Sequence, residues 1–528
     1  MMENLFHHSG FLESIKQHVR KFPTKTAVVD ISNPQSITMS YQELQETAET
    51  IAANLLAKGL QKGEAVAYQL PSGWQFIVIT MGIWYAGGVP CPLLPSLRER
   101  EVRFILERSQ ARFYIYPDTY RNFDYSQLAH SLEDKFADLQ FFCIPQSEQI
   151  PALSSLAGLA DPLDHEYHLQ PHAPTLDSIA QLLFTSGTTG EPKGALHTFS
   201  TLSYALFRHT QTLRLSHQDV IWVPSPLAHQ TGFLYGMMLS LFLGATGVYH
   251  AAWHVEKAKQ AIEKEGATFV QAAMPFLSDI THMSEPPQGL RIFVATGAAI
   301  PRQLADLAKQ KLACKIVGAW GSTETCLVTV GHPDDPVEKL WGTDGRVMEG
   351  MSIRVVDENG QVLPPGTEGN FQVKTPAMFI GYLHRPDLYE AALTKDGYFD
   401  TGDLAIVDED GFIKISGRKK DIINRGGEKI PVAEIENLLY THPSIADAAL
   451  VAMPDLRLGE RACLFVVGKE DSQPLKLEDI TGFLQQQGVA KIYWPERLEW
   501  IAEMPRTASG KIQKYLLRQR LQEKSLDA

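Results

Sequence analysis

Short apolar runs recur along the chain, and each ends in small or polar residues. They lie at 179–184, 220–223, 268–273, 290–295 and 314–319, and loops rich in Gly, Ser, Thr or Pro follow them. Alternation of such runs with helical patterns is typical of buried strands in an α/β domain. Because ligands bind beyond the carboxyl ends of parallel strands, the pattern predicts one edge crowded with ligand-binding loops.

The pattern changes after residue 345. Strand-like segments there flank turns at Asn359-Gly360 and Asp410-Gly411, which predicts locally antiparallel hairpins. A charged segment over Gly417–Lys429 then precedes a last part with its own helices, at Pro431–Tyr440 and Gln513–Gln522. A hinge that leads into a small terminal domain is the natural interpretation.

We therefore expect an α/β protein in three parts, since 528 residues exceed what one core usually serves. A large N-terminal domain over 1–417 contains parallel-sheet α/β subdomains and a small antiparallel β section. A hinge at 418–422 connects it to a small, mobile α+β C-terminal domain over 423–528.

Composition narrows the class of protein. With 44% hydrophobic and 21% charged residues, the chain is expected to fold around a large core. Its 48 Lys and Arg against 61 Asp and Glu give a net charge of −13, which disfavours a general nucleic-acid or anionic-membrane binder. Glycines and prolines interrupt the apolar stretches at 65–97 and 220–255, so no transmembrane segment is expected, although peripheral membrane contact stays open.

The cysteines and the start of the chain bear on the compartment. Five scattered cysteines without a CxxC pair favour a reducing environment over a disulfide framework or a zinc ribbon. The first residues lack the apolar region of a signal peptide. The expected location is the cytoplasm.

The strongest local signal is Thr185–Gly194, which reads TSGTTGEPKG. Glycines let backbone amides approach an anion, hydroxyls add donors and Lys193 adds a positive charge, so the segment predicts a polyphosphate site. It is not a Walker A loop, because Lys193 lies between Pro192 and Gly194. A P-loop ATPase is therefore the least favoured function, and a flexible surface turn is the structural alternative. The phosphate-binding candidates are Thr185, Ser186, Gly187, Thr188, Thr189, Gly190 and Lys193.

Further motifs follow in a fixed order: GAWGSTE at 318–324, YFDTGD at 398–403, GRKKD at 417–421 and PRTASGK at 505–511. Together with TSGTTGEPKG, this series resembles the superfamily that activates carboxylic acids as acyl adenylates. That superfamily includes acyl-CoA synthetases, adenylation domains of nonribosomal peptide synthetases, and luciferases. Segments 226–233, 415–428 and 507–517 look most like bacterial short- and medium-chain fatty acyl-CoA synthetases and cyclohexanecarboxylate-CoA ligases.

The resemblance implies ATP, Mg²⁺ and coenzyme A as ligands. Glu324 then corresponds to the magnesium ligand, Thr323 to a donor for phosphate or substrate carboxylate, and Asp403 to the acceptor of both ribose hydroxyls. Trp320 stands where tyrosine is more often found and is expected to stack on adenine. The remaining nucleotide-binding candidates are Gly297, Ala298, Gly321 and Arg418. The alternatives are a solvated glutamate, core packing of Trp320 and Gly297, and a domain-bridging Arg418.

The resemblance also assigns the terminal domain two roles. Lys511 enters the site to stabilise the adenylation transition state, and Lys420 corresponds to the pivot between two domain orientations. In the second orientation Gly426 and Gly427 line a tunnel for the pantetheine arm of CoA. A surface lysine and a solvated charge run are the alternatives.

The acid is less defined. Amino-acid-activating members of the superfamily place a carboxylate near this segment to hold the substrate ammonium. Segment 227–233 contains no acidic residue, so the resemblance implies a substrate without an amino group. The resemblance places His229 at the acyl pocket as a catalytic or gating residue, with a core histidine as the alternative. Ala272, Ala273 and Met274 are expected to add apolar lining for a fatty or alicyclic acid.

The sequence thus predicts an ATP- and Mg²⁺-dependent acid:CoA ligase that forms an acyl-AMP intermediate. An enzyme that loads carrier-protein phosphopantetheine and a non-catalytic acyl or nucleotide sensor are the alternatives. Intact Glu324, Asp403, Arg418 and Lys511 disfavour the sensor. The sequence does not define the oligomeric state.

Overall fold

The structure is a computed structural model that describes residues 10–145, 156, 158–161, 169, 172–185, 192–296, 302–425, 428–455, 457–469, 472–507 and 511–526. It contains a large α/β part and a separate C-terminal domain, each with its own buried core. The predicted fold class is confirmed.

A nine-stranded sheet forms the centre of the large part. Its six middle strands run parallel, and an antiparallel strand or pair closes each edge. In spatial order the strands are Arg346–Val347, Cys326–Val330, Lys315–Ser322, Ile292–Thr296, Phe269–Ala273, Val220–Val223, Thr246–Tyr249, Thr26–Asp30 and Ile37–Ser40. The predicted apolar runs from 220 onward therefore become neighbouring strands whose carboxyl ends share one edge.

A second, four-stranded parallel sheet consists of Val89–Pro92, Ala65–Tyr68, Phe113–Pro117 and Gln140–Ile144. A three-stranded antiparallel sheet holds Gly381–Tyr382, Lys193–Thr198 and Ile179–Thr185. The expectation that the run at 179–184 leads from strand through loop to helix was wrong. Thr185 pairs with Lys193 across an antiparallel ladder, because the intervening segment is rich in turn-forming residues.

The predicted antiparallel section is a four-stranded sheet of Ser352–Val356, Gly369–Lys374, Phe399–Val407 and Ile413–Arg418. Val407 pairs with Ile413 across the Asp410-Gly411 turn, as the sequence predicted. A small two-stranded ribbon joins Thr119–Tyr120 to Phe123–Asp124.

Helices pack against these sheets, and side chains cap several of them. Ser40 and Glu43 form a capping box at the start of the helix Tyr41–Ala57. The helices are Gly10–Lys21, Tyr41–Ala57, Trp74–Tyr85, Glu99–Ser109, Tyr125–Glu133, Phe199–Leu213, Gln230–Gly232, Leu239–Leu243, Val255–Lys259, Met274–His282, Arg302–Leu312, Val337–Gly342 and Pro386–Ala392, with π-helical segments at Phe233–Met238 and Gln260–Lys264.

The C-terminal domain contains a five-stranded sheet of Glu428–Ile430, Ile423–Arg425, Gly459–Gly468, Ile445–Asp455 and Arg497–Trp500. Its helices are Val432–Leu439, Leu477–Gln486 and Lys514–Leu526, with a 3₁₀ turn at Lys491–Tyr493. Another 3₁₀ turn, Lys419–Asp421, precedes the domain. The first and last of these helices were predicted from the sequence.

The two longest apolar stretches fold into short elements. Within 220–255 the backbone of the π-helical segment approaches Val223 so closely that a Cβ at Gly236 would lie 2.4 Å from a Val223 methyl carbon. In the part of the chain that the structure describes, no helix is both long and apolar enough to cross a bilayer. All five cysteines are free thiols.

Candidate active site

A cleft of about 2450 Å³ lies between the large part and the C-terminal domain. Loops after the parallel strands, the three-stranded sheet, the four-stranded antiparallel sheet and the last loop of the chain all line it. Motifs that lie far apart in the sequence therefore face a common space.

The strand after the glycine-rich segment brings Lys193 into this cleft. Its ammonium lies 5.3 Å from the centre of the Tyr382 ring, on the neighbouring strand. The Tyr382 hydroxyl donates to Glu324 Oε1 at 2.8 Å. Burial and the Glu324 charge raise the pKa of Tyr382, so this tyrosine stays a donor at neutral pH. Tyr382 thus connects the strand of Lys193 to the predicted magnesium ligand, and the sequence reasoning did not identify it.

His197 provides a second connection to the same loop. It is fully buried on the Lys193 strand, and its Nε2 lies 2.7 Å from the backbone oxygen of Thr323. A carbonyl oxygen only accepts, so Nε2–H donates. Burial lowers the pKa of His197 to about 4, although this hydrogen bond and the Glu324 charge oppose the shift. The neutral ring therefore ties Thr323 to the phosphate-loop strand.

Asp403 is held on both sides. The indole N–H of Trp320 donates to its Oδ2 at 2.9 Å, and the guanidinium Nε of Arg418 lies 3.1 Å from its Oδ1. Trp320 also packs edge to face against Phe371, with ring centres 4.8 Å apart. Because a carboxylate offers about four lone-pair positions, Asp403 retains acceptor capacity toward the cleft.

Lys511 lies in the cleft, in the loop before the last helix. Thr507 N–H donates to the Lys511 carbonyl at 2.8 Å, and Lys511 N–H donates to the Thr507 hydroxyl at 3.1 Å. Lys511 as a whole residue is exposed to solvent. Protein atoms around its ammonium nevertheless desolvate the charge, and this burial lowers the pKa of Lys511. Arg418 lowers this pKa further, whereas Asp403 and Glu324 raise it. The terminal domain therefore carries its lysine into the same electrostatic environment as the predicted nucleotide-binding groups.

His229 opens the short helix that follows the strand Val220–Val223. Its Nδ1 accepts the Thr231 amide proton at 3.4 Å, which leaves the ring proton of the neutral imidazole on Nε2. Burial lowers the pKa of His229 to about 4, and the Lys511 charge acts in the same direction. His229 is therefore neutral at physiological pH.

The predicted apolar lining is partly wrong. Ala273 and Met274 line the cleft, but Ala272 is fully buried in a core cluster on the other face of its strand. Side chains alternate along a strand, so Gln271 takes the position facing the cleft. The sequence reasoning missed Gln271, and strand periodicity is the signal that would have found it.

The predicted catalytic, nucleotide-binding and metal-binding residues within the described ranges all line this one cleft: Thr185, Lys193, His229, Trp320, Gly321, Thr323, Glu324, Asp403, Arg418 and Lys511. The others lie outside the described residues: Ser186, Gly187, Thr188, Thr189, Gly190, Gly297, Ala298, Gly426 and Gly427.

Comparison with known proteins identifies the class. The AMP-binding enzyme family matches residues 15–383, and the AMP-binding enzyme C-terminal domain matches residues 434–511. The chain belongs to the AMP-binding enzyme family.

Relatives narrow the class further. The chain is 38% identical to the medium-chain fatty-acid CoA ligase of Escherichia coli over 95% of this chain and 89% of the relative. It is 31% identical to the 2,3-dihydroxybenzoate-AMP ligase of Bacillus subtilis over 92% and 90%. The solved O-succinylbenzoate coenzyme A synthetase of Bacillus subtilis, in complex with ATP and magnesium ion, matches with a TM-score of 0.82 at 25% identity, covering 96% of this chain and 99% of that one. Within its family, the chain is an AMP-forming acid:CoA ligase, the group that uses ATP, Mg²⁺ and CoA.

Proposed function

We propose that the chain activates a short- or medium-chain fatty acid or an alicyclic acid through an acyl-AMP intermediate and transfers the acyl group to CoA. The observation that carries the proposal is the meeting of Lys193, Glu324, Asp403 and Lys511 around one cleft. Four groups from separate motifs there offer two cations and two carboxylates to a single ligand. A nucleoside triphosphate bound beside a carboxylate needs cations for its phosphates, and carboxylates for its ribose hydroxyls and its magnesium ion.

In the first half-reaction a carboxylate oxygen of the acid attacks the α-phosphorus of ATP. The new C–O–P bond replaces the bond to pyrophosphate, which leaves with its electron pair. Asp403 accepts from the ribose hydroxyls, while Arg418 keeps that carboxylate oriented. Lys193 and Lys511 stabilise the charge that develops on the phosphoryl oxygens.

Glu324 fits a magnesium ion by its chemistry. It is a hard oxygen donor in the cleft, and its Oε1 already has a fixed partner in the Tyr382 hydroxyl. Within the described ranges no group of three His, Cys, Asp or Glu side chains is gathered for a metal. Mg²⁺ characteristically binds one or two carboxylates together with substrate phosphates, so a single glutamate suits it. The ion supplies charge neutralisation of the phosphates when bound.

The acid binds beside His229, Ala273 and Met274. The neutral imidazole adds no charge to this end of the cleft. Segment 227–233 lacks an acidic residue, which disfavours an amino-acid substrate. The name of the Escherichia coli relative, a medium-chain fatty-acid CoA ligase, supports an acid of this length.

In the second half-reaction the thiol sulfur of CoA attacks the acyl carbon, its proton passes to solvent, and AMP leaves.

We place the hinge at 418–422, with the N-terminal domain at 1–417 and the C-terminal domain at 423–528. Arg418 pairs with Asp403 of the antiparallel sheet, whereas Asp421 binds Arg518 of the last helix at 2.8 Å. Attachment therefore changes from one domain to the other around Lys420, which supports a pivot there. The CoA role of Gly426 and Gly427 remains part of the proposal, on the family resemblance alone.

The test is a panel of straight-chain, alicyclic and aromatic acids with MgATP, in which pyrophosphate and AMP release are followed with and without CoA. Acyl-CoA formation from an aliphatic or alicyclic acid is expected. Turnover only with a carrier protein would replace the proposed acceptor, and no turnover with any acid would refute the enzyme.

Lys511→Ala gives a sharper test of roles. Adenylation is expected to fall by about 10²- to 10³-fold, the loss typical of a transition-state donor. Conversion of supplied acyl-AMP to acyl-CoA is expected to stay near wild type. Lys491→Ala, an exposed lysine of the same domain outside the cleft, is the matched control. Equal loss in both steps would contradict the role of Lys511.

A further inference from the structure

Asp344 is a carboxylate of the cleft to which the proposed half-reactions give no role. It lies between the helix Val337–Gly342 and the strand Arg346–Val347, and it lines the cleft together with Trp320 and Asp403. A carboxylate in a ligand-binding cleft invites the question of which ligand group it meets.

Backbone contacts place Asp344 beside the strand that carries Trp320. Trp320 pairs with Thr329 on the neighbouring antiparallel strand, and the Thr329 hydroxyl donates to the Asp344 carbonyl at 2.6 Å. A Cβ at Gly318, two residues before Trp320, would overlap the Thr343 carbonyl oxygen, so the two backbones are in direct contact. Asp344 therefore lies on the side of the cleft where the indole ring is expected to stack on adenine.

The two oxygens of the Asp344 carboxylate have different environments. Oδ2 accepts the backbone N–H of Ile415 at 2.8 Å, where a bulge interrupts the pairing of the strand Ile413–Arg418 with Phe399–Val407. Oδ1 has no hydrogen-bond partner among the described residues, and it keeps solvent-accessible surface. The carboxylate is thus oriented through one oxygen and offers the other to the cleft.

The open oxygen is a pure acceptor at neutral pH. Burial raises the pKa of Asp344 to about 6; the Ile415 N–H and the Lys414 charge oppose this shift, and the Asp403 charge adds to it. The carboxylate is therefore mostly ionised at neutral pH, and an ionised carboxylate has no proton to donate. A ligand group that binds Oδ1 must be a hydrogen-bond donor.

ATP carries donors at only two places, the ribose hydroxyls and the exocyclic amino group of adenine. The proposed function gives the hydroxyls to Asp403. The Asp403 charge acts on both Lys511 and Asp344, whereas the Glu324 charge acts on Lys511 and is not among the charges that act on Asp344. An order from Lys511 and Glu324 through Asp403 to Asp344 matches the order of phosphates, ribose and base, which leaves the amino group for Asp344.

We infer that Asp344 accepts a hydrogen bond from the exocyclic amino group of adenine and thereby selects ATP over other purine nucleoside triphosphates. The inference rests on the proposed function, which binds the ribose at Asp403. Inosine and guanosine triphosphates carry a carbonyl oxygen at the position of the amino group, so two acceptors would face each other. Asp344 is a specificity-determining residue and takes no part in the bond changes at phosphorus.

The experiment compares ATP with inosine triphosphate and with purine riboside triphosphate, which lacks the amino group, on the full-length enzyme. Pyrophosphate release is measured with one accepted acid, and the affinity of each nucleotide with Mg²⁺ is measured by titration calorimetry without acid. The wild-type enzyme is expected to prefer ATP to either analogue by about tenfold or more, the loss typical of a missing hydrogen bond to a charged group.

Asp344→Asn keeps the shape of the side chain and changes its chemistry. Its amide oxygen can accept the Ile415 N–H, which turns a donor N–H₂ toward the cleft in place of the acceptor. The preference for ATP over inosine triphosphate is expected to fall by about tenfold or more. Asp335→Asn is the matched control, because Asp335 also accepts a backbone N–H, from His332 at 2.7 Å, and its side chain is 7% exposed, but it does not line the cleft.

The ratio of two nucleotides is internal to each variant, so a partial loss of folding does not affect it. Equal use of ATP and purine riboside triphosphate by the wild-type enzyme would overturn the inference. An unchanged ratio of ATP to inosine triphosphate in Asp344→Asn would also overturn it, and would leave Asp344 with its contact to Ile415 alone. Absence of turnover with every acid would refute the proposed function, whereas the calorimetric ratios would still decide the role of Asp344.

Discussion

Arg506 anchors the loop that carries Lys511, and removing this anchor should separate the two half-reactions. Its guanidinium forms an ion pair with Asp447 Oδ2, while the Tyr440 hydroxyl donates to Asp447 Oδ1 at 2.7 Å. Gln513 N–H donates to the Pro505 carbonyl at 2.7 Å, which closes the base of the loop. The Lys511 backbone is therefore fixed to the strand Ile445–Asp455 through Arg506.

The expected loss of adenylation depends on how far the ion pair of Arg506 and Asp447 is exposed to solvent. The side chain of Arg506 is 36% exposed and that of Asp447 is 13% exposed, so the pair lies between a surface ion pair and a buried one. Charge-assisted hydrogen bonds contribute about 1.5–3 kcal/mol, and the partial exposure of Arg506 places this pair at the lower end, so Arg506→Gln should lower the rate of adenylation by about tenfold. Asp447→Asn should cost a similar amount, and the double variant should not lose the sum.

The assay measures adenylation by pyrophosphate release and thioester formation from supplied acyl-AMP in the same preparations. Arg497→Gln is the control, because its pair with Glu499 has nearly the same exposure, 37% and 17%, on a strand of the same domain outside the cleft. Loss confined to adenylation in the Arg506 and Asp447 variants is the expected result. Parallel loss in both steps, or the same loss in Arg497→Gln, would refute the reasoning.

Three further predictions follow from the site. Tyr382→Phe removes the donor to Glu324, the proposed magnesium ligand, and should raise the Mg²⁺ concentration for half-maximal adenylation about tenfold, because hydrogen-bond partners of a metal ligand orient it. An unchanged Mg²⁺ dependence would contradict this role of Tyr382. Lys420→Pro should slow thioester formation more than adenylation by stiffening the pivot, and stopped-flow measurement of both steps with equal losses would count against the pivot. Burial lowers the pKa of His209 to about 3, so below pH 6.5 the unfolded chain binds a proton that the folded chain does not. Stability should therefore fall as pH decreases from 6.5 toward 3, by at most about 1.4 kcal/mol per pH unit for this group. Urea unfolding across this range should show a flatter dependence in His209→Gln than in the exposed control His130→Gln.

The sequence defined the site best where chemistry is local. The motifs around Lys193, Glu324 and Asp403 were recognised from local sequence, although the structure places them in or next to three different sheets. Gln271 was missed although strand periodicity places it on the same face as Ala273. The same alternation excludes Ala272 from the pocket, where the sequence prediction had placed it.

Contacts between distant elements could not be predicted. Tyr382 meets Glu324 only because a three-stranded sheet pairs its strand with that of Lys193, and no local pattern encodes that pairing. His197 is similar: burial and a single carbonyl acceptor on another loop define its role. The roles of both side chains depend on which strands and loops pack together, and the sequence pattern alone does not predict that pairing.

The contacts of Trp320 and Arg418 with Asp403 have a consequence for the proposed two-step reaction, in which the acyl adenylate stays bound while the small domain rotates. Trp320, Asp403 and Arg418 all precede the proposed pivot, so they stay with the large domain when the small domain turns and withdraws Lys511. Under the proposed roles, the acyl adenylate would keep its ribose contact with Asp403 while Lys511 moves away, so the groups that hold the intermediate and the group that helps to form it belong to different domains.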